Sequence, residues 1–128
     1  MHFFFDLDHT AIDSSHRQIT RPDGSLDLAA WRRNNTRANI MRDTLLPLAK
    51  EWRRLAKKNV TIVICTARVM GEHDYEFLRI HGLRWDACLS RRPFEITPDA
   101  ELKERMIREY ARTRSMTWAR FCATTVFY

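Results

Sequence analysis

The chain carries few of the residues that mark specialised classes of protein. Its three cysteines, Cys65, Cys88 and Cys122, are odd in number and widely spaced, with no C-x-x-C pair. That excludes a disulfide framework and a clustered zinc site, and implies reduced, mostly buried thiols. Among five histidines, His73 and His81 fall in a helical stretch and His16 in a polar loop. None has a partner at metal-ligand spacing, so they read as solvated side chains. No apolar run approaches the roughly 20 residues needed to cross a bilayer. The opening MHFFFD has no basic stretch ahead of an apolar core, which argues against a secretory leader. The expected location is therefore cytoplasmic, with no membrane partner. Repeats, low-complexity segments, internal linkers and polybasic blocks are all absent.

What remains is an ordinary domain. A length of 128 residues, 45% of them hydrophobic and 30% charged, supports one core. Lys and Arg number 22 against 16 Asp and Glu, for a net charge of +6. Such a balance suits a polyanionic partner, nucleic acid first, although cations dispersed along helices also serve solubility.

The chain reads as alternating strands and helices. Phe3–Phe5 is a short apolar run of the buried-strand type. A polar section follows from Ala11 to Asp27, with a turn at Arg21–Gly24. Leu26–Asn34 is a short predicted helix capped by Asp27, and a longer one runs from Thr44 through Lys58 with Pro47 in its first turn. Val60–Cys65 is the clearest strand, β-branched and nearly continuous. A helix over Glu72–His81 stops at Gly82. Trp85–Leu89 is a third strand, and Asp99–Arg114 another helix. Ser115–Arg120 is a brief helical connection, and Ala123–Tyr128 a fourth strand. This rhythm implies right-handed βαβ units and a parallel sheet.

Asp6 and Asp8 follow the first strand, two positions apart, so both carboxylates project from one face at its carboxyl end. Open α/β sheets bind their ligands there. Two acids this close repel unless a cation or shared proton intervenes. Taken alone, one would cap a turn and the other face solvent. Thr66 closes the second strand and Lys103 lies one turn into the last long helix. A phosphoryl group needs such a set: a nucleophile, an acid/base, a hydroxyl donor and a cation.

In this order, DLDHT after an apolar strand, VIVICT, and a lysine in ELK resemble the motifs of the haloacid dehalogenase-like phosphohydrolase superfamily, over essentially the whole chain. The TAR following the second strand and the minimal cap are similar in particular to the phosphatase half of bacteriophage polynucleotide kinase–phosphatase. The resemblance implies a three-layer, Rossmann-like α/β core with a parallel sheet of strand order 3-2-1-4. It makes Asp6 the nucleophile that forms an aspartyl-phosphate, and Asp8 the acid/base. Mg2+ would bind at Asp6 and Asp8, using the Asp8 backbone carbonyl as well. The amides of Leu7 and Asp8, with Thr66 and Lys103, would hold the transferring oxygens, and Thr10 would brace the loop. Arg68, Arg91 and Arg92 lie in loops on the predicted active face, where they would hold neighbouring phosphates.

Two features depart from the family pattern. His9 stands where the family commonly has a small residue, often glycine. The acidic pair expected after the fourth strand is missing, as are the fifth strand and closing helix, which suggests a C-terminally truncated single domain. Ala123–Tyr128 would then be an exposed apolar edge, open to self-association. The expected function is Mg2+-dependent phosphomonoester hydrolysis on nucleotide or polynucleotide ends, 3′-phosphates among them. A sugar-phosphate phosphatase and a catalytically idle, basic nucleic-acid-binding module are the competing readings.

Overall fold

The computed structural model describes residues 1–128. Four strands form one parallel sheet: β1 (His2–Phe5), β4 (Thr61–Thr66), β5 (Ala87–Ser90) and β6 (Thr125–Phe127), in the order β5-β4-β1-β6. That is the 3-2-1-4 order expected of the core. β1 runs parallel to both neighbours, with Phe3 opposite Ile62 on one side and Val126 on the other. A second, two-residue antiparallel pair joins β2 (Ile12–Asp13) to β3 (Thr44–Leu45). Between them lies a small insertion carrying α1 (Leu28–Arg33) and α2 (Arg37–Met41).

Alternation along the strands explains the three layers. Phe3, Phe5, Ile62 and Ile64 enter one apolar cluster, with Trp52, Leu55, Phe77 and Leu78 from α3 (Leu48–Ala56) and α4 (Glu72–Ile80). Phe4, Val63 and Cys65 face the other way, onto Tyr110 and Phe121 of α5 (Asp99–Thr113) and α6 (Trp118–Ala123). Three consecutive aromatics thus feed two cores, because successive strand residues point to opposite faces. Phe5 stacks on Trp52 with centroids 4.6 Å apart, and the Trp52 indole N–H donates to the Arg84 carbonyl at 2.8 Å. No helix is long and apolar enough to cross a membrane.

Several element boundaries differ from the sequence expectation. The helix predicted from Thr44 begins only at Leu48, and Thr44–Leu45 is strand. Leu46 precedes Pro47, whose ring disfavours helical backbone at the residue before it. Its N–H instead donates to the Ala11 carbonyl at 2.9 Å, tying the insertion's root to the core. The third strand starts later than predicted, at Ala87, because Trp85 packs against Tyr75 and the Asp86 carboxylate takes the Ile62 N–H. The last helix is shifted toward the C-terminus because Thr117 caps it through the Arg120 N–H. The final strand shortens to Thr125–Phe127 accordingly.

Gly82 ends α4 as predicted, with φ of +68°. The N–H groups of Gly82 and Leu83 return to the carbonyls of Arg79 and Leu78 at 3.2 and 2.9 Å, and the Leu83 side chain is fully buried. An added Cβ would meet nothing within 4 Å, so backbone conformation alone makes the site glycine. Gly82→Ala is expected to cost about 1 kcal/mol, read as a lowered midpoint in thermal denaturation.

Candidate active site

The carboxyl ends of β1 and β4 open onto a cleft of about 660 Å³. Asp6, Asp8, Thr66 and Lys103 all line it, together with insertion residues that include Trp31 and Asn35. Asp6 is the first residue past β1. Its Oδ2 accepts a hydrogen bond from Lys103 Nζ at 2.7 Å, and its Oδ1 accepts the Leu7 N–H at 2.8 Å. The chain then turns sharply: the Leu7 carbonyl accepts the N–H groups of Thr10, Ala11 and Ile12. His9 takes a φ of 62° in this turn, the left-handed region that glycine occupies at least cost.

Asp8 has a cationic partner of its own. It accepts Ser14 Oγ at 2.6 Å and both Nε and Nη2 of Arg68. Gln18 Nε2 donates to Ser14 Oγ at 2.9 Å, and Gln18 Oε1 lies 3.2 Å from His9 Nε2. A carbonyl oxygen only accepts, so His9 must carry its proton on Nε2, and every donor in this row points toward Asp8. Burial pushes the Asp8 pKa up, but the Arg68 guanidinium, helped by the Ser14 hydroxyl and Arg17, outweighs it and holds the carboxyl below its ordinary value. Each of the two neighbouring acids thus has a cationic side chain of its own, Lys103 for Asp6 and Arg68 for Asp8.

Arg68 differs most from its expected part. It is buried, and it binds three carboxylates from separate stretches of chain. Besides Asp8, its Nη1 donates to Asp74 Oδ1 at 2.7 Å, and Asp43 Oδ2 stands 3.9 Å from Nη2. Asp43 is held in turn by Arg17 Nε and Nη2, both at 2.9 Å, and faces His16 Nε2 at 2.7 Å. So His16, expected in solvent, sits against a buried acid. With Arg68 committed to carboxylates, it is placed to orient Asp8 rather than to reach for a distant phosphate.

The other predicted residues divide. Thr66 is buried at the end of β4; its Oγ1 accepts the Arg68 N–H at 3.0 Å, and its hydroxyl proton is left to donate. Arg91 lines the cleft, but its donors go to the carbonyls of Ala67, Glu95 and Thr97 and to Asp99, which shapes the loop ahead of α5. Arg92 is exposed and lines a different cavity with Cys88 and Tyr110. Leu7 buries its side chain completely, and the contribution of Thr10 is its backbone N–H. Of the cysteines, Cys122 is exposed rather than buried. Burial pushes the Cys65 thiol up to about 12 despite the nearby Lys103 ammonium, so it stays protonated beneath the site.

Trp31, Arg32 and Asn35 have no counterpart among the sequence-predicted site residues. The spacing of Leu28 and Trp31, one helical turn apart after the Asp27 cap, was the available signal. It does not distinguish an apolar face that packs on the core from one that lines a cleft.

For a divalent cation, the cleft supplies hard oxygen donors. Each carboxylate oxygen of Asp6 and each of Asp8 already accepts a protein hydrogen bond, but a carboxylate has about four lone-pair sites. No cluster of three or more acid, histidine or cysteine side chains converges there. This donor set fits Mg2+, which commonly uses one or two carboxylates plus waters and substrate oxygens, better than a cation needing an all-protein cage.

Residues 1–108 match the family described as bacteriophage T5 5′-deoxynucleotidase. A 5′-deoxynucleotidase of Escherichia phage T5 is 43% identical over 84 residues, covering 62% of this chain and 34% of that protein. The chain thus spans about a third of the length of that curated relative. Among solved structures, a haloacid dehalogenase-like family hydrolase from Streptococcus pneumoniae aligns with a TM-score of 0.59 at 18% identity, over 90% of this chain and 70% of that one. That likeness carries the fold. The sequence match is to a nucleotidase family, not to the polynucleotide kinase–phosphatase half suggested by the TAR segment.

Proposed function

The chain belongs to the bacteriophage T5 5′-deoxynucleotidase family, and from that premise we propose that it hydrolyses the phosphomonoester of nucleotides, with Asp6 as nucleophile. One observation carries the reading: Lys103 Nζ reaches Asp6 Oδ2 at 2.7 Å across 97 positions of sequence, at the mouth of a cleft that Asp8 and Thr66 also line. A lysine in a charged helix has no structural need to seek a half-exposed acid at a sheet end. A phosphoryl-transfer site needs that pair.

Substrate phosphate entering the cleft competes with Asp6 for the Lys103 ammonium, which frees an Asp6 oxygen to attack phosphorus. The departing sugar oxygen takes a proton from Asp8. That acid rests ionised against Arg68; the arriving phosphate charge raises its pKa, and it takes up a proton from solvent before the leaving oxygen departs. In the second half of the reaction Asp8 accepts a proton from the water that attacks the aspartyl-phosphate. The Thr66 hydroxyl and Lys103 hold the transferring oxygens. Asp6 and Asp8 would hold Mg2+, which supplies charge neutralisation for the phosphoryl oxygens.

The test is phosphate release, with added Mg2+, from deoxynucleoside 5′-monophosphates, a 3′-phosphorylated oligonucleotide and simple sugar phosphates. Release from the 5′-monophosphates is the expected result. Preference for the 3′-phosphorylated oligonucleotide would restore the polynucleotide-end reading. Failure on every substrate, in a folded protein, would sink the proposal.

A further inference from the structure

The wall of the cleft away from Asp6 is chemically unlike its floor. Leu28 and Trp31 face it from α1, and Ile96 from the loop ahead of α5. Leu28 is 53% exposed and Ile96 92% exposed. Large aliphatic side chains left in water on the rim of one cleft, brought from different parts of the chain, mark a place where something apolar covers them. Between them in sequence stands an aromatic platform. Trp31 is half-buried, with the Arg17 guanidinium carbon 4.3 Å from its ring centroid and that of Arg68 at 5.8 Å. Those buried arginines fix the ring's orientation.

The side-chain amide of Asn35 in the same wall has one atom left without a protein partner. Asn35 Oδ1 accepts Arg17 Nη1 at 3.1 Å. Arginine only donates, so the amide orientation is settled: oxygen faces Arg17, and Nδ2 is the atom with no hydrogen bond to the protein. The cleft therefore offers an aromatic face, an aliphatic rim and an unpaired amide N–H donor, about 660 Å³ in all and within the usual range of ligand pockets. Its occupant should have a flat π-face, apolar surface and a hydrogen-bond acceptor, and be joined to a phosphate that lies at Asp6 and Lys103. A nucleobase has all of these, and a bare sugar phosphate has neither the face nor the apolar surface.

We propose that Trp31, Leu28, Ile96 and Asn35 form a nucleobase subsite in which the base stacks on Trp31 and accepts a hydrogen bond from Asn35 Nδ2. The subsite rests on the phosphomonoesterase reading for its phosphate end. It makes the small insertion, rather than the Rossmann-like core, the part that selects nucleotides over other phosphomonoesters.

Two measurements test it. In the first, tryptophan fluorescence is titrated with deoxyadenosine 5′-monophosphate or with deoxyribose 5-phosphate. Of the other tryptophans, Trp52 is fully buried, and neither Trp85 nor Trp118 lines this cleft. The nucleotide is expected to quench the wild type and Trp118→Phe but not Trp31→Phe, and the sugar phosphate to quench none. In the second, Trp31→Ala is expected to raise KM for the nucleotide about ten-fold or more, on the scale of base–aromatic stacking, with KM for the sugar phosphate unchanged. Quenching that survives in Trp31→Phe, or an equal rise in KM for both substrates, would overturn the subsite. The second of these would mean that Trp31 acts through Arg68 on Asp8. Should the wild type release phosphate from neither substrate, the phosphatase reading falls, and the titration still decides whether a base binds at Trp31.

Discussion

Asp6→Asn is expected to lower phosphate release from deoxynucleoside 5′-monophosphates by roughly 10³-fold or more while leaving the fold in place. An amide matches the carboxylate in shape but lacks the charge and nucleophilicity needed to attack phosphorus. The structural cost is small because the Asp6–Lys103 pair is part-exposed, each side chain at 27%. Pairs of that kind contribute about 0–1 kcal/mol. The Leu7 N–H can still donate to the remaining amide oxygen. The expected outcome is therefore a large kinetic loss beside a midpoint shift of a few degrees in thermal denaturation. A variant that kept wild-type turnover would remove Asp6 from its role. One that simply unfolded would show instead that the Lys103 contact is structural.

Arg68→Met should have the reverse signature, with stability taking the larger loss. It leaves the carboxylates of Asp8 and Asp74 without their guanidinium, while Asp43 keeps its bidentate partner Arg17. Breaking a buried pair by removing one partner typically costs about 3–5 kcal/mol, because the abandoned charge stays in a poor solvent. Its pH dependence follows from Asp8. In the wild type, the folded pKa of Asp8 lies below its ordinary value. That interaction stabilises the protein above the unfolded pKa of about 4 and is lost as pH falls through the lower folded value. Without Arg68, only the Ser14 hydroxyl and Arg17 remain to oppose burial, the largest influence on Asp8, so its pKa rises and the variant is penalised at neutral pH and relieved by protonation. The stability gap between the two proteins should be widest near pH 7 and narrow below about pH 4, measured by denaturant unfolding. A gap that stays constant across that range would assign the contribution of Arg68 to packing rather than charge. Arg68→Lys should recover only part of the loss, since an ammonium cannot present the same fork to Asp8 and Asp74.

The contrast between these two residues shows where the linear chain was informative. Asp6 and Asp8 could be picked out because their spacing is local: two positions along an extended chain leave both side chains at one sheet end, whatever surrounds them. The same holds for Phe3–Phe5 and the run ending at Thr66, where strand periodicity and β-branching speak for themselves, and for Gly82, which stands just past a helix. Strand order came from the motif resemblance, while the strand–helix rhythm by itself implied only a parallel sheet built of right-handed βαβ units.

Arg68 gave no such signal. It stands in the same short loop context as an arginine reaching into solvent. Only the convergence of Asp8 and Asp43, from distant stretches, with Asp74 six positions on, buries it as a hub. Arg92, with the same letter two dozen positions on, ends up outside the cleft because the loop after β5 turns it toward another cavity. The two-residue pairing of β2 with β3 is too short to show a period, so the root of the insertion was invisible, and with it the approach of Trp31 and Asn35 to the cleft that Asp6 lines. Patterns carried by neighbours in sequence survive in the letters. Contacts whose energy depends on what arrives from elsewhere exist only once the chain has folded.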